Sequence, residues 1–253
     1  MPRRTATRRC AIPYTLQATL WVIGSALVYL AAAHVLRYLE GRPDAPVSRF
    51  VRRGESLGLG WAVKLAYFVG VPYAAMLLGA ADFPAHMGLA RLDWPTSIGK
   101  GVVAGVAVFA GLAGASWYST RSLRRLGADP LPKPSSLAGL PLILNALCNE
   151  AHWAFYRLPG ILLTGDLFLG TWIGAAVAVL ERVGDPRWRR RAVSPKFGLE
   201  AWQHIALLVG MSAAFFFTRN FFVVWAAHAL VEWGSRAVTQ RMLAEIEKAP
   251  AAQ

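Results

Sequence analysis

Acidic side chains and thiols are scarce in this chain: 14 of its 253 residues are Asp or Glu, and only Cys10 and Cys148 carry sulfhydryls. One cysteine lies near the start and the other inside an apolar stretch, with no CxxC pair, so neither a disulfide framework nor a thiolate metal site is expected. Charge of any sign is thin, at 16% of residues. No hydrophilic run is long enough for a separate soluble domain. What fills the chain instead is apolar: 55% hydrophobic residues and a mean hydropathy of +0.38. That balance makes lipid the bulk solvent and excludes a soluble globular domain with a polar exterior. The net charge of +13 then belongs to loops and anionic headgroups, and nucleic acid is not an expected partner.

A helix that crosses the bilayer needs about 20 mainly apolar residues. Such windows fall at 14–36, 57–80, 98–118, 138–158, 166–183, 198–217 and 220–238. The expectation is a single all-α integral membrane domain over 1–253, a polytopic bundle of about seven helices, within a range of six to eight. The last two windows are parted only by Arg219 and Asn220, as in a tight hairpin or one bent element. Arg3, Arg4, Arg8 and Arg9 precede the first window like a signal-peptide n-region, but the apolar run from Ile12 to Leu36 is too long for an h-region and reads as a retained helix. The stretch from Phe83 to Trp94 reads as a short amphipathic segment on the interface, and Leu131 to Pro134 as a Pro-rich turn.

Basic residues alternate between loops. Arg37, Arg42, Arg49, Arg52 and Arg53 crowd 37–56; Arg121, Arg124, Arg125 and Lys133 lie in 119–137; and Arg182, Arg187, Arg189, Arg190, Arg191 and Lys196 lie in 182–197. The tail holds Arg236, Arg241 and Lys248, whereas 81–97 has only Arg91 and 159–165 has no base. By the positive-inside rule the three basic loops and the tail are cytoplasmic, in what is read as a bacterial plasma membrane protein. Seven spans then put the N-terminal arginines outside, against the same rule.

An ionisable group at the bilayer centre costs roughly 2.5–3.5 kcal/mol on insertion scales, so each one is a functional candidate. Here they fall in consecutive helices: Glu150, His152 and Arg157, then Glu181, then His204, then His228 and Glu232. At 3.6 residues per turn, His228 and Glu232 share a face, as do Glu150 and Arg157. Glu150 and His152 diverge by about 200° on a regular helix, so one of them turns to a different neighbour unless the helix is distorted. A His and a carboxylate one turn apart, facing another Glu and His, suit either a zinc ion or a Glu–His pair that activates water. The bland alternatives are an ion pair between Glu150 and Arg157 that fixes packing, a hydrogen bond from His152 to a neighbouring helix, pairing of Glu181 with the adjacent basic loop, and a structural His204. The runs Phe215 to Phe217 and Phe221 to Phe222 read as lipid or interface contacts.

The segment from Glu150 to Arg157, followed by Thr218-Arg219-Asn220 and then Trp225, His228, Ala229 and Glu232, resembles the CPBP family of intramembrane proteases, which includes CAAX prenyl proteases and bacteriocin-processing enzymes. The likeness covers 138–236. Arg219, Asn220, Trp225 and His228 fall where that family's last motif places such residues, and Glu232 stands where Asn or Asp is usual. Counting back from Arg157, His152 and Trp153 occupy the paired-Glu positions, with Glu150 two residues early, and no Phe-x-x-x-His follows at the family's spacing. The resemblance implies an endopeptidase in which Glu150 polarises water for attack on a membrane-associated protein or peptide. His228 would serve as ligand or base, Glu232 would orient His228 or bind metal, and Arg157 would pair with a carboxylate. His152, Glu181 and His204 compete for the remaining place, and a divalent metal such as zinc, held by Glu150, His228 and Glu232, is an open possibility. Two other functions fit the same residues: a non-proteolytic membrane scaffold of this fold, and a small proton-coupled transporter.

Overall fold

The computed structural model describes residues 13–42, 58–79, 83–90, 92–125, 139–194 and 197–248, together with 46, 47, 49, 53 and 54. The arginines before residue 10 and the Pro-rich turn at 131–134 lie outside the described residues. Among the described residues the long elements are all helical and there is no strand.

Helix α1 is Tyr14–Glu40, and α2 runs from Leu59–Leu65 through a π-helical turn, Ala66–Gly70, into Val71–Gly79. After the short α3 (Phe83–His86) come α4 (Trp94–Arg125), α5 (Leu140–Thr164), α6 (Leu167–Gly184), the short α7 (Pro186–Ala192), α8 (Gly198–Thr218) and α9 (Phe221–Lys248). Each of the seven apolar windows thus lies largely within a long helix. Five of them, α1, α2, α4, α6 and α8, are long and apolar enough to cross a membrane. The other two, α5 and α9, have 25 and 28 residues but are less apolar, because they carry the charged side chains.

Local chemistry sets the breaks. Asp166 caps α6 by accepting from the Leu169 N–H at 2.9 Å, and Asp185 starts α7 by accepting from the Arg187 N–H at 2.8 Å. The α8–α9 corner needs only two residues. Arg219 adopts a left-handed conformation (φ 50°) and closes α8 through its N–H to the Phe215 carbonyl, while the Asn220 carboxamide oxygen accepts from the N–H groups of Phe222 and Val223. These are two helices joined by a sharp corner, not one bent element. The 83–94 segment is keyed into this corner: the Gly88 carbonyl accepts from the Phe221 N–H at 2.9 Å, and Met87 is buried in the core. Its Met87–Gly88 turn is therefore packed against the bundle, while Ala85 and Trp94 are exposed. Gly88 is required there, since its φ is +75° and an added Cβ would come within 3.0 Å of both the Arg219 carbonyl oxygen and the Phe221 nitrogen.

The long helices alternate in direction. Gln17 bonds to the Leu78 carbonyl across α1 and α2, and Ser97 bonds to the Thr218 carbonyl across α4 and α8, so both pairs are antiparallel. On α4 and α9, Gly101 faces Val223 and Gly105 faces Ala227, so those two run parallel. One end of the bundle consequently collects the C-terminal ends of α1, α6 and α9 with the N-terminal ends of α2 and α5. There Glu40 pairs with Arg187 at 2.8 Å and Arg190 at 3.3 Å, which joins two of the basic loops.

At the centre stands α5, whose residues from Cys148 to Ile161 are buried without interruption. A helix covered on all sides shows its polar groups to other helices instead of lipid, which is how it tolerates them. Its closest partner is α6. Added Cβ atoms at Gly170 and Gly174 would lie 2.5 Å from the Ile161 nitrogen and 2.6 Å from the Arg157 backbone, so the two backbones touch through glycine.

Candidate functional site

Two polar clusters branch from opposite sides of α5. The first joins α5 to α9. Glu150 Oε1 lies 2.8 Å from His228 Nδ1, and Glu150 Oε2 lies 3.6 Å from an Arg157 amino nitrogen. An ionised carboxylate only accepts, so the Nδ1–H of His228 donates to Glu150. The other ring nitrogen, Nε2, is turned toward Glu232 Oε2 at 3.6 Å and is buried without a hydrogen-bond partner. Glu232 is in turn held by Arg236 at 2.5 Å and faces the Asn145 amide at 3.5 Å. Lys64 of α2 bonds to the Asn145 oxygen. The same-face pairs expected on α5 and α9 therefore meet each other across the helix interface.

The inner part of the cluster is sealed. Glu150 and Arg157 are 1% exposed and His228 is 0% exposed. Trp153 stacks on the His228 imidazole with ring centroids 5.2 Å apart. The Arg157 guanidinium sits 4.1 Å from the Phe215 ring centroid, and its nitrogens are buried without hydrogen-bond partners. Charge attraction to Glu150 and the face of the ring compensate its burial.

The second cluster joins α5 to α6 and α2. His152 Nε2 lies 3.1 Å from Glu181 Oε2, and the Tyr156 hydroxyl donates to that same oxygen. Tyr67, in the π-helical turn of α2, brings its hydroxyl 3.5 Å from that of Tyr156 and donates to the Ser25 carbonyl at 2.7 Å. His152 thus turns to α6 while Glu150 turns to α9, as their angular divergence on an undistorted helix requires. Glu181 is bonded into the core at 3% exposure. The adjacent Arg182 is instead directed to Tyr29, whose hydroxyl donates to Asp185 at 3.0 Å. His204 stands apart from both carboxylate groups: its ring lies 5.9 Å from that of Trp153, and its Nε2 has no hydrogen-bond partner.

Glu150, His228, Glu232 and Arg157 are brought together, whereas His152 and Glu181 form a separate pair. The fourth place in the first cluster is taken by neither of them. Among the described residues no group of three or more His, Cys, Asp and Glu side chains is arranged to hold a metal ion. The chemistry of the ring explains why. Glu150 meets one imidazole nitrogen and Glu232 faces the other, so an ion bound to either nitrogen has only one of the two carboxylates on its side. As placed, these residues do not form a common ligand set.

Several members of the clusters were not legible as such. Phe215 reads as a lipid contact but is 1% exposed and carries Arg157. Asn145, Arg236 and Tyr156 were visible at helical spacings around the candidates, and Lys64 as a charge within an apolar window. Tyr67 gave no signal in the sequence, since aromatic residues are ordinary in such helices.

No family model matches this chain, and neither a curated protein nor a solved structure was found to be similar to it. The fold and the clusters define an all-α membrane protein with a buried Glu–His–Glu array at its centre.

Proposed function

We propose that the chain is an intramembrane endopeptidase, in keeping with the CPBP resemblance, and that His228 is its general base. The observation that carries this reading is the Glu150–His228 contact. A carboxylate that receives the Nδ1–H fixes the tautomer in which Nε2 bears the lone pair, the arrangement a general base needs. Both Glu150 oxygens are committed, one to His228 and one to Arg157. Glu150 is therefore better suited to orienting His228 than to activating water itself, which revises the role implied by the resemblance. In the reaction, water between Nε2 and Glu232 gives its proton to His228 as its oxygen attacks the peptide carbonyl. His228 then returns the proton to the leaving amine. Hydrolysis requires α5 and α9 to separate enough to admit water and a peptide.

The test is cleavage of a membrane-associated peptide library by the purified protein in detergent. Activity in the parent that is lost in His228→Ala and strongly reduced in Glu150→Gln supports the proposal. Equal cleavage by His228→Ala and the parent would refute it.

A second reading is favoured by one feature, the series of titratable side chains from Glu232 through His228 to Glu150, which leads from the partly exposed Arg236 into the buried core. Such a series suits a proton relay in a small transporter. Vesicles containing the protein and a pH-sensitive dye distinguish the two: proton flux abolished by His228→Ala, with no peptide cleavage, selects the relay.

A further inference from the structure

Glu40, the last residue of α1, is shared by three arginines from two segments of the chain. Arg37 lies one turn back on the same helix at 3.4 Å, while Arg187 and Arg190 reach it from α7 at 2.8 and 3.3 Å. One carboxylate against three guanidinium groups leaves two positive charges in excess. The geometry leaves donors unspent as well. The contacts of Arg37 and Arg190 are longer than the roughly 2.7–2.9 Å of a strong charge-assisted bond, and the Arg187 Nε–H points off the Glu40 oxygen and has no hydrogen-bond acceptor. Asp185 does not make up the difference. Its two carboxylate oxygens accept from the Tyr29 hydroxyl and from the backbone N–H of Arg187. Arg189 and Arg191, exposed on α7, pair with no carboxylate among the described residues and add to the excess.

This charge is gathered at a level where a bilayer supplies anions. Arg37 stands in the last turn of α1, a helix long and apolar enough to cross a membrane. Val35 and Tyr38, one turn apart beside it, are each 57% exposed, and the Arg42 guanidinium lies 4.5 Å from the Tyr38 ring centroid. An exposed tyrosine with arginines at the end of an apolar span marks the headgroup region, with acyl chain below and phosphate beside it. A soluble anion would use the arginines alone, whereas a phospholipid uses both the arginines and the apolar surface beneath them.

We propose that the α1–α7 junction binds the headgroup of an anionic phospholipid, its phosphate held by Arg37, Arg187 and Arg190 and its acyl chains descending past Val35 on α1. Glu40 holds the three guanidinium groups together and competes with that phosphate for them. The site is separate from the Glu150–His228 array and does not rest on the hydrolase reading.

The experiment uses the full chain purified in detergent, with phosphatidylglycerol and phosphatidylcholine of the same chain length, and reads the dissociation constant of the first bound lipid by native mass spectrometry. Phosphatidylglycerol should bind about tenfold or more tightly than phosphatidylcholine, since each arginine near a headgroup contributes about fivefold. Arg187→Gln/Arg190→Gln should remove most of that preference. Arg121→Gln/Arg125→Gln, which takes two exposed charges from the end of α4, should leave it nearly unchanged. Glu40→Gln should tighten phosphatidylglycerol binding several-fold by removing the competing carboxylate, whereas Glu200→Gln, an exposed acid at the start of α8, should have little effect. The preference is a ratio taken within each variant, so partial loss of fold does not imitate its disappearance. No preference in the parent, equal losses in the two arginine pairs, or equal gains in the two acid variants would reduce the effect to overall charge and overturn the site. Displacement of the lipid by an equal concentration of glycerol phosphate would overturn the lipid as its occupant.

Discussion

Arg157 lies against the ring of Phe215, with its guanidinium carbon 4.1 Å from the centroid, in the interior of a membrane-spanning bundle. The two residues come from different helices, α5 and α8, and each is 1% exposed. The contact joins the arginine that pairs with Glu150 to a residue with no polar atom of its own. Phe215→Leu should preserve most of the apolar packing and lose the ring, destabilising the protein by about 2 kcal/mol. Thermal unfolding in detergent micelles checks this, and an unchanged melting temperature would remove the aromatic face from the account of how Arg157 is tolerated.

Arg157→Met leaves Glu150 without its cation. Removing one partner of a buried ion pair costs about 3–5 kcal/mol, and the double variant Glu150→Gln/Arg157→Met should recover part of that loss. A double-mutant cycle of unfolding free energies measures the coupling. Additive losses would mean that the 3.6 Å approach of the two groups contributes no stability.

Because Glu150 and Glu181 belong to clusters without a shared partner, Glu150→Gln and Glu181→Gln should be additive in stability to within about 0.5 kcal/mol. If the protein is a peptidase, removing the His228 base should lower turnover by about 10²–10⁴-fold, whereas Glu181→Gln should act mainly on stability. Equal catalytic losses in both variants would merge the clusters into one site.

The glycine contact of α5 with α6 gives a third comparison. Gly174→Ala places a methyl group 2.6 Å from the Arg157 backbone, where no flexible side chain gives way, and should cost about 1–3 kcal/mol. Gly105→Ala, whose added carbon meets the Ala227 Cβ at 3.6 Å, should leave stability close to that of the parent. The pair is read out from melting curves recorded under one condition.

Cys148 is 0% exposed, so in a Cys10→Ser background it should resist a membrane-permeant maleimide until α5 separates from its neighbours. Its labelling rate, followed by mass spectrometry, reports the opening that the hydrolase reading requires. A rate accelerated by a cleaved peptide supports that reading, and immediate labelling of the resting protein contradicts the closed core.

The sequence by itself determined where the helices lie and which polar residues share a face. Apolar runs of about 20 residues have few structural alternatives in lipid, because every backbone polar group must be satisfied within the segment. Helical periodicity then puts His228 above Glu232 and Glu150 in line with Arg157, and turns His152 away from Glu150. Such intrahelical relations depend on local geometry alone. Partners across helices depend on rotation, offset and closeness of approach, which are set by many side chains at once. Only the tertiary structure decided that Glu150 meets His228 while His152 meets Glu181, that Phe215 carries Arg157, and that Lys64 reaches Asn145. The interior position of Glu181 was decided in the same way. Arg182 and the basic run from Arg187 follow it in the sequence, but the close approach of α5 and α6 at Gly170 and Gly174 brings His152 and Tyr156 within its reach, and the buried carboxylate is satisfied there.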